Sequence, residues 1–292
     1  MHEQWVNKSI WVSGATGAWG TEICKQLLAL PVRRVIAFVR GEHRGADLAA
    51  FLGADDRLRV RLGDIRDAAR VLQTMEGTDV VIHAAALKRV DATSHDALEI
   101  VKTNVIGTLN VVEACIQCRP AVALFISSDK AVEAHNIYGG TKFVAEHLWQ
   151  MGNEYAPTPR QCKFAVLRSG NALGSTGSVL HIWKRQKDEG KPLTITDPRM
   201  TRFHITLPDV VAFLLDQIPH LEAGQTIIPA MPTYTIGQLA QAFAPGYPIH
   251  YIGSRGMGEK RHEKLTIEGS DSSFHRPLTT KALLDILRKE GW

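Results

Sequence analysis

The sequence predicts an α/β fold: a doubly wound parallel sheet with a smaller C-terminal lobe. Three observations point there. Short apolar, β-branched runs alternate with helix-period segments, a glycine-rich turn joins the first run to the first helical segment, and the alternation weakens after residue 168. Strands alternating with helices imply βαβ units and a parallel sheet covered on both faces. Right-handed crossovers then wind that sheet in both directions.

The expected strands are 9–13, 34–39, 58–61, 79–83, 121–127 and 163–168, with amphipathic helical stretches such as 19–30, 97–115 and 138–154 between them. Beyond residue 168 come loops containing Gly, Pro and Thr: NALGSTGS, GKPLTITDPRM and GSRGMGEK. Helical stretches near 179–188, 208–218 and 236–243 are interspersed, and 225–229 reads as one more strand returning to the sheet. The 97–115 helix has an apolar face suited to a subunit contact, although an ordinary core helix shows the same pattern.

Composition narrows the function classes. With 292 residues, 45% hydrophobic and 22% charged, the chain is ordinarily globular and long enough to fold without disulfides. Cys115 and Cys118 form a lone CxxC on a helical pattern, and Cys24 and Cys162 stand apart. Structural, reduced thiols are the expectation. A net charge of +4, with no basic run interleaved with aromatics, argues against a nucleic-acid partner. The N-terminus has no apolar h-region and no 18-residue apolar run occurs, so a soluble, cytoplasmic protein with no membrane partner is expected. The twelve His form no HExxH, and no metal is expected.

The glycine turn reads Ser13-GATGAW-Gly20, with Gly14, Gly17 and Gly20 at GxxGxxG spacing. Between a strand and a helix this is the context of a dinucleotide pyrophosphate loop, in which backbone N–H groups meet the anion at the helix N-terminus. Thr16, Ala18 and Trp19 belong to the same loop, and Trp19 reads as a cover over the cofactor or as packing. The second strand is followed by Arg40 and Arg44 rather than leading with an acid. Guanidinium suits a 2′-phosphate, so NADP is expected over NAD. Asp64 and Ile65 are placed for the adenine, and Ala84, Ala85 and Ala86 allow close passage of the cofactor. Residues 1–170 and 205–230 are accordingly expected to form an NADP-binding Rossmann domain, and 171–204 and 231–292 a substrate lobe.

The stretch SSDKAVEAHNIYGGTK carries two proton-handling pairs. Tyr138 and Lys142, at i and i+4, share a helix face. A neighbouring ammonium is expected to lower the phenol pKa, so that tyrosinate can take a proton from a substrate hydroxyl. After a glycine loop and five βα units, this pattern resembles the extended, nucleotide-sugar branch of the short-chain dehydrogenase/reductase superfamily, with Ser127 or Ser128 as the hydroxyl partner. Asp129-Lys130 is the discriminating pair. Oxidation and reduction at one carbon need no second pair, whereas elimination needs an added base and an added acid. From spacing alone, a loop ion pair is an equal reading.

The segments AALKRVDA, KTNVIGTLNVVEAC, SSDKAVEAHNIYGGTK, LRSGNALGSTGSV, ITDPRMTRFHIT and GEKRHE, in that order, resemble UDP-N-acetylglucosamine 4,6-dehydratases. The C5-inverting type is nearest, since Tyr138 stands where retaining relatives often carry Met. The resemblance implies that Tyr138 and Lys142, with Ser128, assist hydride removal from C4 to NADP. Lys130 takes the C5 proton, Asp129 protonates the departing 6-hydroxyl, and the hydride returns to C6. The NADP is tightly bound and regenerated in each turnover. Lys88, Thr103 and Ala172 align with cofactor-pocket positions, Lys88 also near the substrate. Asn171, Thr176, Val179, Thr196 and Arg255 align with UDP-sugar contacts. A homo-oligomer, dimer or hexamer, is implied.

The sequence departs from the family pattern at Ser169 (usually Tyr), Thr176 (usually Arg) and Ser128 (usually Thr), and the block from Arg255 to Glu263 is one residue longer. Alternatives are a nucleotide-sugar 4-epimerase, a 5,6-dehydratase, or an NADP-binding sensor without turnover. Asp197 and the 199–202 stretch read equally as structural ion pairs or as substrate-side groups.

Overall fold

All five positions of the first strand, β1 (Ser9–Ser13), are buried, as expected for a central strand covered on both faces. Its alternation divides two cores: Ile10 and Val12 face one cluster and Trp11 the other, the period-2 pattern of a strand. The computed structural model describes residues 3–88, 96–155, 162–173, 178–253 and 259–292. After β1 come α1 (Ala18–Leu28), β2 (Arg34–Val39), α2 (Glu42–Phe51), β3 (Leu58–Leu62), α3 (Ala68–Met75), β4 (Val80–His83) and α4 (Ala97–Val101). There follow α5 (Gly107–Cys118), β5 (Val122–Ser128), α6 (Ile137–Tyr155), β6 (Lys163–Ser169), β7 (Asn171–Ala172) and α7 (Val179–Asp188). The remainder is β8 (Leu193–Ile195), β9 (Thr201–Ile205), α8 (Leu207–Gln217), β10 (Thr226–Ile227), β11 (Thr233–Thr235), α9 (Ile236–Phe243), β12 (Ile249–Tyr251) and α10 (Thr280–Lys289).

Among the described residues, seven strands form one parallel sheet in the order β10-β6-β5-β4-β1-β2-β3. Strand order reverses between β1 and β4, which opens a crevice at their C-terminal ends. One face of the sheet is covered by α1 and α8, through Ile23, Leu27, Val210 and Leu214. The other is covered by α3, α5 and α6, through Val71, Val111 and Trp149. A third cluster, with Leu180, Trp183, Leu193, Tyr234, Leu239 and Leu283, forms a separate core in the C-terminal part.

Three local expectations change. The 97–115 helix is divided: a π-helical segment, Lys102–Ile106, lies between α4 and α5. The expected strand 225–229 pairs with β6 only through Thr226 and Ile227. The region after β6 also holds small sheets that weak periodicity did not reveal, β11-β9-β7 and β12-β8. Among the described residues no helix is long and apolar enough to cross a membrane.

Candidate active site

The glycine turn lies at the sheet's switch point. Gly14 takes φ +65°, and Gly17 caps α1 with no side-chain hydrogen bond. The first-turn N–H groups of α1, those of Ala18 and Trp19 among them, therefore have no side-chain cap, which suits an anion. Thr16 is half-buried and Trp19 packs against the core beneath α1.

The loop after β4 is fixed by a polar chain that the sequence reading did not use. Ser13 Oγ accepts from the N–H groups of Ala84 (3.1 Å) and Ala85 (3.2 Å) and lies 2.6 Å from His83 Nδ1. His83 Nε2 lies 3.0 Å from Thr108 Oγ1, whose hydroxyl donates to Asn104 O. Thr108 thus spends its proton on a carbonyl and accepts from Nε2–H, leaving Nδ1 to accept from Ser13. Burial, and then the Lys142 charge, draws the imidazole down to about 3, so His83 is neutral.

Asn104 in the π segment links this loop to α6. It accepts from Leu87 N, and its amide donates to Leu87 O and to Thr141 Oγ1. The extra residue of a π turn re-aims side chains in this way. Beside it, Thr103 Oγ1 is buried without a hydrogen-bond partner among the described residues. An orphaned hydroxyl in the π segment and an uncapped N-terminus of α1 each fit a bound dinucleotide. Ala86 is half-buried and Lys88 is exposed at the loop's described end. Arg40 and Arg44 are exposed after β2 and within α2. Asp64 is held below the usual carboxylate range, chiefly by its hydrogen bond from Arg66, while Ile65 is buried.

Tyr138 and Lys142 lie one turn apart near the start of α6. Gly139 allows the close approach, because a Cβ there would meet Lys130 O at 2.5 Å. The expected lowering of the phenol is not found. Burial pushes Tyr138 up to about 12, against the pull of its hydrogen bond with Ser128. Lys142 instead donates to Ile126 O at 2.6 Å and lies 4.1 Å from the Phe125 ring centroid. The i, i+4 spacing put the ammonium on the right face, but the strand carbonyl and ring take it. Of the two candidate serines, Ser128 is the one bonded to Tyr138, whereas Ser127 Oγ is buried without a partner among the described residues.

Burial draws the Lys142 ammonium down to about 7, with Glu146 opposing. The unfolded chain holds that proton to about 10.4, the folded chain only to about 7. Unfolded protein therefore binds more protons between those values, and this residue's contribution to stability grows as pH rises through them. Lys142→Met should accordingly change stability more favourably at pH 6 than at pH 9. Chemical denaturation at the two pH values checks this, and an equal change at both would contradict it.

Asp129 and Lys130 lie in a buried cluster. Ser128 Oγ accepts from Lys130 N at 3.0 Å and starts the single helical turn Asp129–Ala131. Lys130 Nζ donates to Asp129 Oδ1 at 3.1 Å, to Asn171 Oδ1 at 3.4 Å and to Glu263 Oε1 at 2.7 Å. Asp129 is 1% exposed. Burial raises its carboxyl although Lys130 pulls it down. Glu263 is lowered: burial opposes its charge, but Lys130, Arg202 and Lys260 together outweigh burial. Two carboxyls on either side of one amine are thus driven apart, the condition under which one is an acid and the other an anion.

Glu263 and Lys260 were not singled out from sequence, and Arg202 was read only within the 199–202 stretch, as a structural ion pair or a substrate-side group. GEKRHE and MTR stood out only as blocks, and no spacing rule assigns them to the cluster. Arg202 Nε lies 3.8 Å from Glu263 Oε1 and its Nη2 3.6 Å from Glu259 Oε1. Asp197, by contrast, pairs at the surface with Arg199 (3.0 Å) and Arg261 (3.4 Å). Of the expected substrate contacts, Asn171 joins the cluster, while Val179 begins α7 and Thr196 follows β8, both half-buried in the C-terminal part. Ala172 is in β7, and Ser169 is buried. Thr176 and Arg255 lie outside the described residues. Among the described residues no group of His, Cys, Asp and Glu is arranged to hold a metal ion.

Comparison with known proteins agrees with this geometry. The family model described as polysaccharide biosynthesis protein matches residues 10–281. A UDP-N-acetylglucosamine 4,6-dehydratase (inverting) from Campylobacter jejuni is 38% identical over 91% of this chain and 79% of its own. A UDP-glucose 4-epimerase from Rickettsia canadensis is 33% identical over 89% of this chain and 78% of its own. The crystal structure of Pen from Bacillus thuringiensis superposes with a TM-score of 0.91 at 28% identity, over 98% of both chains. With its switch-point glycine loop and its buried acid–lysine pair beside Tyr138, the chain belongs to the polysaccharide biosynthesis protein family of extended short-chain dehydrogenase/reductases.

Proposed function

We propose that this protein is an NADP-dependent UDP-N-acetylglucosamine 4,6-dehydratase that inverts C5. The observation that carries the reading is Lys130 held between a buried, acid-shifted Asp129 and an ionised Glu263. An epimerase needs no such acid and base beside its Tyr–Lys pair. Asp129 is supplied with a proton for the 6-hydroxyl, and Lys130 is positioned to take the proton from C5. Tyr138, hydrogen-bonded with Ser128, would take the 4-hydroxyl proton as tyrosinate, a state that the positive charge of an oxidised nicotinamide would favour over the neutral phenol. A nicotinamide dinucleotide, held by Gly14 to Gly20, Ala84 to Ala86, Thr103 and Lys142, supplies reversible hydride acceptance. The C4 hydrogen ends on C6, the 6-oxygen leaves as water, and reprotonation of C5 from the opposite face inverts it. The balance is one UDP-sugar to one UDP-4-keto-6-deoxy sugar and one water.

Arg40 and Arg44 support NADP, since both guanidinium groups are exposed beyond the β2 end. Cofactor released on denaturation should be NADP, and recovery of NAD alone would overturn that choice. A homo-oligomer is supported by an apolar surface on α4 to α6, where Leu98, Ile106, Phe143, Val144 and Met151 are exposed.

The test is incubation with UDP-N-acetylglucosamine and no added cofactor, followed by mass spectrometry. Loss of one water is expected. The 33% identity to the Rickettsia epimerase favours epimerisation as the second reading, which an unchanged mass with altered configuration would select.

A further inference from the structure

Glu263 has no part in the elimination derived above, yet it makes the shortest contact to the proposed base. Its carboxylate is 1% exposed, and Oε1 accepts from Lys130 Nζ at 2.7 Å. On its far side are two further cations, Lys260 Nζ at 3.5 Å from Oε2 and Arg202 Nε at 3.8 Å from Oε1. Both are buried. Arg202 also reaches Glu259.

The segment carrying Glu263 is tied down from both sides. Lys260 Nζ donates to Asp129 O and Val132 O, and Lys264 pairs with Glu133 at 2.5 Å. Glu133 itself takes φ +49°, so the turn after Lys130 has a left-handed residue at the point where this segment grips it. From the other side, Glu263 N donates to Ser272 Oγ at 2.9 Å, and Ser272 lies 2.5 Å from Thr201 Oγ1.

The charges balance without Lys130. Beside Asp129, whose carboxyl burial raises, Glu263 and Glu259 face Arg202 and Lys260, two anions to two cations. Among the described residues, Tyr138, from α6, and Tyr234, from β11, also face the cluster, both pushed up to about 12 by burial and hence neutral, while Glu133, paired with Lys264, lies within the field of Lys260. A lone carboxylate 2.7 Å from an amine would hold it as ammonium, useless as a base. A carboxylate already matched by two cations can accept its hydrogen bond and leave its charge unneeded.

We infer that Glu263 is a positioning residue: neutralised by Arg202 and Lys260, it holds the Lys130 amine in place while leaving it free to take the substrate proton. This rests on the dehydratase reading, with Lys130 as the base.

The experiment is the pH dependence of kcat and KM for water loss from UDP-N-acetylglucosamine. Lys260→Met removes a compensating cation, and the acid limb should move up by about two pH units, the scale of a unit charge roughly 6 Å away at an effective dielectric near 20. Glu263→Gln keeps an oxygen in place but removes the anion, and the limb should move down, with kcat reduced and KM kept. Lys260→Arg should restore the wild-type limb. Limbs that stay in place in both variants, with stability alone reduced, overturn the positioning role. If the wild-type protein releases no water, the dehydratase reading fails and this inference falls with it. If it does release water and the limbs stay fixed, the inference alone fails.

Discussion

Lys130→Ala is expected to lower water loss about 10³-fold, within the range for a single positioned acid–base group, while the cofactor remains bound. The Lys130 side chain is 19% exposed, enough to reach a sugar from a buried anchor. None of its hydrogen-bond partners, Asp129, Glu263 and Asn171, belongs to the glycine loop or to the loop after β4. The expectation is therefore selective: elimination stops, and cofactor released on denaturation stays at the wild-type amount. Mass spectrometry of the product and absorbance of the released cofactor read the two separately. A variant that dehydrates at the wild-type rate removes Lys130 from its role. One that has lost cofactor shows the substitution acting on the fold. The same cluster predicts an asymmetry with pH. The raised Asp129 carboxyl keeps its proton to higher pH than an exposed aspartate does, so its acid role persists into conditions in which an ordinary carboxyl is ionised.

The second large effect is at Gly20. A Cβ there would lie 2.3 Å from Gly14 O and 2.5 Å from the Ala15 Cα. These are backbone atoms, and no rotamer change relieves the overlap. Gly20→Ala must lift α1 from the turn, costing about 1–3 kcal/mol of stability, as overpacking does. Because the anion-facing N–H groups are those of the same turn, cofactor should be lost along with stability. Denaturant unfolding and cofactor content after purification test this. Normal values of both would mean that the turn is not packed as described.

The sheet was legible because its signals are local. Strand periodicity marked β1 to β6 to within a residue or two at each end: central strands such as β1 and β4 are buried along their whole length, and the edge strand β3 alternates apolar residues with arginines. The glycine spacing announced the turn because Gly14 needs a positive φ and Gly20 a missing side chain. The π segment was not legible. Its residues continue the helical period, and the extra residue is stabilised by Asn104 reaching Leu87 and Thr141, contacts made across the fold. The small strands after β6 escaped for a related reason: β7, β8 and β12 have two or three residues each, too few to show a period.

At the site, residue types and spacing specified which groups do the chemistry: Tyr138 and Lys142 on one helix face, Asp129-Lys130 before them, and a hydroxyl at the strand end. Their protonation was a matter for the folded chain, because a pKa answers to burial and to charges brought in from elsewhere. Lys142 turned to Ile126 O and left the Tyr138 phenol high. Asp129 was raised by burial, and Glu263 was kept ionised by Lys130, Arg202 and Lys260. Glu263 lies 133 residues beyond Lys130 in the chain, and no short-range pattern couples two residues at that separation. Sequence alone sufficed for the reacting groups and the sheet that carries them, since both follow from local order. The electrostatic state of those groups needed the tertiary fold, since charges act through space, across whatever distance along the chain the packing has closed.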